Sequence, residues 1–125
     1  MNATEECPRS VLIVDDDADV RDAIVEVLED AEYSPFAVAN GQEALDYLRS
    51  GHKPCVILLD LMMPVMDGWQ FRAAQLADAT LEPIPVVVLT AHGAGENLPA
   101  GAVLRKPVHL ARLLEVIGRF CERSA

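Results

Sequence analysis

Val56-Ile57-Leu58-Leu59-Asp60-Leu61-Met62-Met63-Pro64-Val65-Met66-Asp67-Gly68 is the stretch that decides the fold. A run of apolar, strand-forming residues ends in a carboxylate, and a proline and a glycine then turn the chain away. Asp60 therefore stands at a strand tip. Strand ends in open α/β sheets face the crevice where ligands bind, so a carboxylate there can hold a cation or act as a nucleophile. The plainer alternative is a turn aspartate bonded to its own backbone. Asp60 alone does not separate the two.

Working outward, Val11-Leu12-Ile13-Val14 is a second continuous apolar run, as expected of a strand buried on both faces, and it ends in Asp15-Asp16-Asp17. From Ala18 to about Ala31, Val20, Ala23, Ile24, Val27 and Leu28 recur at helical spacing opposite Asp19, Asp22, Glu26 and Glu29. Asp17 and Asp19 are placed to cap that helix. Pro35 to Val38 predicts a short strand, Asn40-Gly41 a turn, and Gln42 to Ser50 a helix with Ala44, Leu45 and Leu48 inward, stopped by Gly51. After Gly68, a helix from Trp69 to about Ala77 is expected to turn Trp69, Ala73 and Leu76 inward, with Phe71 off that stripe. Val86 to Leu89 is another doubly buried strand, ending at Thr90. Ala102-Val103-Leu104 is a short fifth strand, ending at Arg105-Lys106-Pro107. A last helix, from about Val108 to Cys121, groups Leu110, Leu113, Leu114, Ile117, Phe120 and Cys121. Short apolar strands alternating with helices imply a parallel, doubly wound α/β sheet.

The chain has 125 residues, 51% of them hydrophobic, which suits one domain over 1–125 with a core at about 9–121, the first nine residues forming a polar leader. A net charge of −10 with scattered Lys and Arg argues against nucleic-acid binding, since phosphate contacts need clustered basic residues. No apolar run reaches membrane-spanning length, and the acidic N-terminus is unlike a secretory signal. Cys7, Cys55 and Cys121 are odd in number and widely spaced, without metal-ligand neighbours, and read as reduced thiols of a cytoplasmic protein. His52, His92 and His109 are isolated, and none reads as a ligand.

Parallel strands carry their C-terminal ends to one sheet edge, so Asp15, Asp16, Asp60, Thr90 and Lys106 can converge despite their separation in sequence. Clustered carboxylates repel, by roughly 4 kcal/mol per pair at about 4 Å and an effective dielectric of about 20. Such a cluster calls for a cation, and an all-oxygen donor set suits Mg²⁺.

Four motifs in order, each at a strand end, resemble the receiver domain of bacterial two-component response regulators: Asp15-Asp16, the Asp60-x-x-Met63-Pro64-x-Met66-Asp67-Gly68 block, Thr90-Ala91 and Lys106-Pro107. The likeness runs from about Arg9 to Phe120. It implies a flavodoxin-like five-stranded parallel sheet of order 2-1-3-4-5 and a cis Lys106-Pro107 bond. It also implies that Asp60 accepts a phosphoryl group from a phosphohistidine. Asp16, Asp60 and the Met62 carbonyl would ligate Mg²⁺, with Asp15 acting through water. Lys106 would neutralise charge on the phosphoryl oxygens and Thr90 would report its arrival. The implied partners are a sensor histidine kinase or histidine phosphotransfer protein and an unidentified downstream protein, with no nucleic acid and no membrane.

The sequence departs from the family pattern in two places. Residues 91–99 are too rich in Gly and Pro for a good fourth helix, which is expected to be short or absent. Val103 also stands where an aromatic residue usually accompanies the threonine. Other readings are a stand-alone phosphorelay shuttle, a pseudo-receiver that only binds partners, and a Mg²⁺-dependent phosphohydrolase. The phosphohydrolase is disfavoured because Met62 occupies the place of the acid that would protonate a leaving group.

Overall fold

The structure, a computed structural model, describes residues 9–90 and 102–121. Five strands, β1 (Ser10–Val14), β2 (Ser34–Val38), β3 (Val56–Asp60), β4 (Val86–Thr90) and β5 (Ala102–Arg105), form one parallel sheet of order β2-β1-β3-β4-β5. Helices α1 (Ala18–Asp30), α2 (Gly41–Arg49), α3 (Gly68–Leu76) and α4 (Leu110–Cys121) complete the described elements. The doubly wound architecture expected from the strand–helix alternation is therefore present. Residues 91–101, where a short or absent helix is expected, lie outside the described residues, as do residues 1–8 of the expected nine-residue leader.

Strands β1, β3 and β4 are buried along their whole length because helices cover both faces of the sheet. Val11, Ile13, Leu58, Val87 and Leu89 face Ile24 and Leu28 of α1 and Leu113, Val116 and Ile117 of α4. Their neighbours Leu12, Val14, Ile57, Leu59 and Val88 point the other way, into Ala44, Leu45 and Leu48 of α2 and Phe71 of α3. This period-two split within uninterrupted apolar runs fixes the register, since a slip of one residue would exchange the two faces. Caps then set the helix starts. Asp17 accepts from the N–H groups of Asp19 and Val20, Asn40 from that of Glu43, and Asp67 forms a capping box with Gln70. Asn40-Gly41 is thus a helix start rather than a free turn. Gly51, at φ +109°, ends α2 as expected.

Two expectations are overturned. Helix α3 turns Gly68, Phe71, Arg72 and Gln75 inward, while Trp69 and Leu76 are 37% and 42% exposed. A Cβ on Gly68 would lie 2.7 Å from the Asp60 carbonyl oxygen and the Leu61 Cα, so the helix start presses on the end of β3 and fixes which face points in. Two inward positions are polar and satisfied. Arg72 donates to Gln75 Oε1 at 2.7 Å, and Gln75 Nε2 donates to the carbonyls of Leu81 and Ile84 at 2.9 and 3.0 Å. A face built on this pair leaves no apolar periodicity to read. The second correction concerns the thiols: Cys55, just before β3, and Cys121, at the end of α4, are joined in a disulfide with Cα atoms 5.2 Å apart. The crossover brings together residues 66 apart in sequence, which spacing alone does not reveal. In α4 the expected face is otherwise present, with Leu113, Ile117 and Cys121 buried and Leu114 and Phe120 packed against the same core; Val116 joins it, and Leu110 is 37% exposed. No helix among the described residues is long and apolar enough to cross a membrane.

The β3–α3 loop is held from both sides. Met66 O accepts the Gly41 N–H at 2.9 Å, and a Cβ on Gly41 would meet Met66 at 2.8 Å. Leu61 O accepts the Gly68 N–H at 2.9 Å. Between these anchors Val65 sits at φ +68° with 80% of its surface exposed, a left-handed conformation that a β-branched residue adopts at a cost. Val65→Asn is therefore expected to raise stability by about 1 kcal/mol, since Asn tolerates that conformation. Gly68→Ala, forced against backbone, is expected to lower it by more than about 1 kcal/mol. Urea unfolding of the two variants should show midpoints shifted in opposite directions. A midpoint for Val65→Asn below wild type would show that the valine is not strained.

Candidate functional site

The C-terminal ends of β1, β3, β4 and β5 bring the sequence-selected polar residues to one edge. Asp15 follows β1, its N–H donating to the Val38 carbonyl at 3.2 Å, and its side chain is fully buried. Asp60 ends β3 and is 5% exposed. Asp16 stands exposed beside them, and carboxylate oxygens of Asp15, Asp16 and Asp60 all lie within 4.8 Å of one another.

Lys106 reaches in from the end of β5. Its Nζ is 2.9 Å from Asp15 Oδ2 and 3.5 Å from Asp60 Oδ2. Its backbone N–H donates to the Thr90 carbonyl at 2.8 Å, which locks it to the end of β4, and the Lys106-Pro107 bond is cis. Thr90 is buried one residue beyond Leu89, the β4 partner of Asp60. Met62 donates its N–H to Asp60 Oδ1 at 3.4 Å, so the bond of a turn aspartate to its own backbone is present alongside the cluster.

Asp15 is occupied on every side. Oδ1 accepts the Asp17 N–H at 2.9 Å, Oδ2 accepts from Lys106, and its carbonyl accepts from Arg21 Nη1 at 2.8 Å. Sequence reasoning missed Arg21. Its signal was a lone basic residue in the second turn of an otherwise acidic helix.

Three carboxylates face one ammonium at this edge. Burial, and after it the neighbouring Asp15 carboxylate, push the Asp60 carboxyl from 3.8 up to about 6, against the opposing pull of Lys106. Burial alone would lower Lys106, but the hydrogen bond and charge of Asp15, with those of Asp60, hold its ammonium above the ordinary value. The excess negative charge and the hard oxygen donors fit a divalent cation that retains water ligands.

A family model described as the response regulator receiver domain matches residues 11–118. The chain belongs to this family of phosphoacceptor signalling domains. It is 42% identical over 124 residues to response regulator Rre1 of Synechocystis, covering 94% of this chain and 53% of Rre1. It is 33% identical to the polar-differentiation response regulator DivK of Brucella anthropi, covering 88% of this chain and 94% of DivK. The chemotaxis response regulator CheY4 of Vibrio cholerae superposes with a TM-score of 0.80 at 31% identity, over 89% of this chain and 97% of CheY4. The receiver thus spans about half of Rre1 and nearly all of DivK.

The raised Asp60 carboxyl carries a stability cost with a defined pH window. Because the folded value of about 6 exceeds the ordinary 3.8, the folded state holds the proton more tightly. Stability from this group is full below about pH 4 and is lost as pH rises through about 6. Asp60→Asn is expected to stabilise the metal-free protein near neutral pH by up to about 3 kcal/mol, a gain that fades between about pH 6 and 4. Urea unfolding in chelator at the two ends of this window checks it, and a gain that grows in acid would contradict the assignment.

Proposed function

We propose that this receiver accepts a phosphoryl group on Asp60 from the phosphohistidine of a sensor histidine kinase or a histidine phosphotransfer protein, using Mg²⁺. The observation that carries this reading is the convergence of Asp15, Asp16 and Asp60 with the Lys106 ammonium at one sheet edge. A carboxylate oxygen of Asp60 forms the new P–O bond as the P–N bond to histidine breaks, the nitrogen keeping the electron pair. A carboxyl at about 6 is mostly ionised near neutral pH, and its poor solvation favours attack. Lys106 stabilises the negative charge on the phosphoryl oxygens. Asp16, Asp60 and the Met62 carbonyl would hold Mg²⁺, which would supply further charge neutralisation. Asp15 would act through a water, a role that suits its existing bonds to Lys106 and the Asp17 N–H.

Thr90 donates its hydroxyl to the arriving group and passes the change to a downstream protein. The receiver catalyses its own phosphorylation and dephosphorylation at Asp60 only. Its place is the cytoplasm, where phosphohistidine donors are found, without direct contact with nucleic acid or membrane.

Intact-mass measurement after incubation with acetyl phosphate tests the reading. One Mg²⁺-dependent phosphoryl adduct is expected on wild type and none on Asp60→Asn; an adduct that persists on the variant would place the acceptor elsewhere. Lys106→Ala is expected to slow adduct formation by at least about tenfold, with Mg²⁺ affinity changed much less. Val103, 39% exposed on β5, lies away from the cluster, so Val103→Tyr should leave the phosphorylation rate within about twofold of wild type. A rate loss in Val103→Tyr comparable with that of Lys106→Ala would show that this position acts in the chemistry and not only in the readout.

A further inference from the structure

At the opposite edge of the sheet from the carboxylates, Cys55 precedes β3 and Cys121 ends α4. Cys55 is half-buried beside a surface pocket of about 450 Å³ lined by Lys53, Pro54, Cys55, Pro83, Ile84 and Phe120, whereas Cys121 is 4% exposed. The Cys55 sulfur also lies 3.0 Å from the Ser10 carbonyl oxygen, an acceptor ready for a thiol proton. The site therefore accommodates both oxidation states. Cys55 borders the pocket, and Cys121 is placed to resolve an adduct formed on it.

We infer that Cys55 and Cys121 are a reversible redox couple, oxidised by a low-molecular-weight disulfide that enters through this pocket and reduced by the corresponding thiol, and that the bond fastens α4 to β3. Oxidation proceeds by exchange. The Cys55 thiolate attacks the incoming disulfide, forming a mixed disulfide and expelling one thiolate. The Cys121 thiolate then attacks the Cys55 sulfur and expels the second. Two protein thiols are oxidised, one small disulfide is reduced to two thiols, and both protons go to solvent or to the departing thiolates. Lys53 on the pocket lining suits an anionic disulfide such as glutathione disulfide.

The bond's mechanical effect follows from its place. Helix α4 begins just after Lys106 and Pro107, and its C-terminal turn is tied to the first residues of the strand that carries Asp60. Reduction leaves that turn held by the packing of Val116, Ile117, Phe120 and Cys121 without a covalent tie. The reduced form should open locally at its C-terminal end without global unfolding.

The full chain carrying Cys7→Ser, which silences the third thiol, is equilibrated over graded ratios of glutathione to glutathione disulfide, then acid-quenched, alkylated and mapped by mass. A two-electron transition is expected, the same from either direction, between a dithiol form and one linked Cys55–Cys121 peptide. A bond that stays closed at every ratio in folded protein, or one that never forms, overturns the couple. Two further variants test the route. Cys121→Ser should accumulate one glutathione on Cys55, and Cys55→Ser should label at Cys121 at least about tenfold more slowly. Equal labelling rates in variants that keep cooperative urea unfolding overturn entry through the pocket. Hydrogen exchange should be faster over residues 113–121 in the dithiol form than in the disulfide form, and identical protection in both forms overturns the fastening role.

Discussion

Two carboxylates that water would keep apart, Asp15 and Asp60, are held together at one edge of a parallel sheet, both buried and both facing the same ammonium. Most of the site's behaviour follows from that enforced proximity. Poor solvation, and after it repulsion by Asp15, raise the Asp60 carboxyl to about 6, which favours uptake of a proton, a cation or a phosphoryl group. Lys106 offsets part of the charge but reaches Asp15 at 2.9 Å and Asp60 at 3.5 Å, so Asp15 is the better satisfied of the two. The fold thus stores its electrostatic cost on the residue proposed to react.

Holding the carboxylates there requires rigid supports, and these are largely steric. Strands β1 and β3 are buried on both faces, so their ends cannot shift without opening one of the two cores. The loop beyond Asp60 is fixed by the close approaches of Gly68 to β3 and of Gly41 to Met66, where a single added carbon would collide. Lys106 is fixed through its own backbone to Thr90, which joins the cation and the hydroxyl in one strand pair. Arg21, donating to the Asp15 carbonyl, adds a support from α1. Contacts from α1, the start of α2, the β3–α3 loop and the β4–β5 pair therefore set the geometry of one small cluster.

The sheet and the carboxylates were legible in the sequence because their signals are local. Continuous apolar runs ending in Asp15, Asp60 and Thr90 are strands buried on both faces, the shorter run ending in the Arg105-Lys106 pair is the strand beside them, and parallel pairing places those ends together without further information. The inward face of α3 was not legible. It is chosen by a glycine contact and completed by an Arg72–Gln75 pair that meets its hydrogen-bonding needs inside the protein, so apolar periodicity pointed instead to Trp69 and Leu76. The Cys55–Cys121 bond was hidden for a related reason, since it depends on where a distant helix ends relative to a strand start. Val65 escaped notice because nothing in its side chain signals the left-handed backbone that the loop imposes.

Strand β3 links the two edges, with Asp60 at one end and the residue after Cys55 at the other. Five residues at about 3.3 Å per residue put about 16 Å between the sulfur chemistry and the carboxylates. A protonated thiol pair and a disulfide carry the same formal charge, so a change between them adds no charge for Asp60 to feel. A mechanical influence has a path through α4, which is tied to Cys55 at its end and follows Lys106 at its start. That route favours an effect on the surfaces presented by α4 over one on the reactivity of the phosphoacceptor. Phosphorylation and thiol oxidation would then act on one domain as separable inputs, the first written at the carboxyl edge and the second in the seating of its last helix.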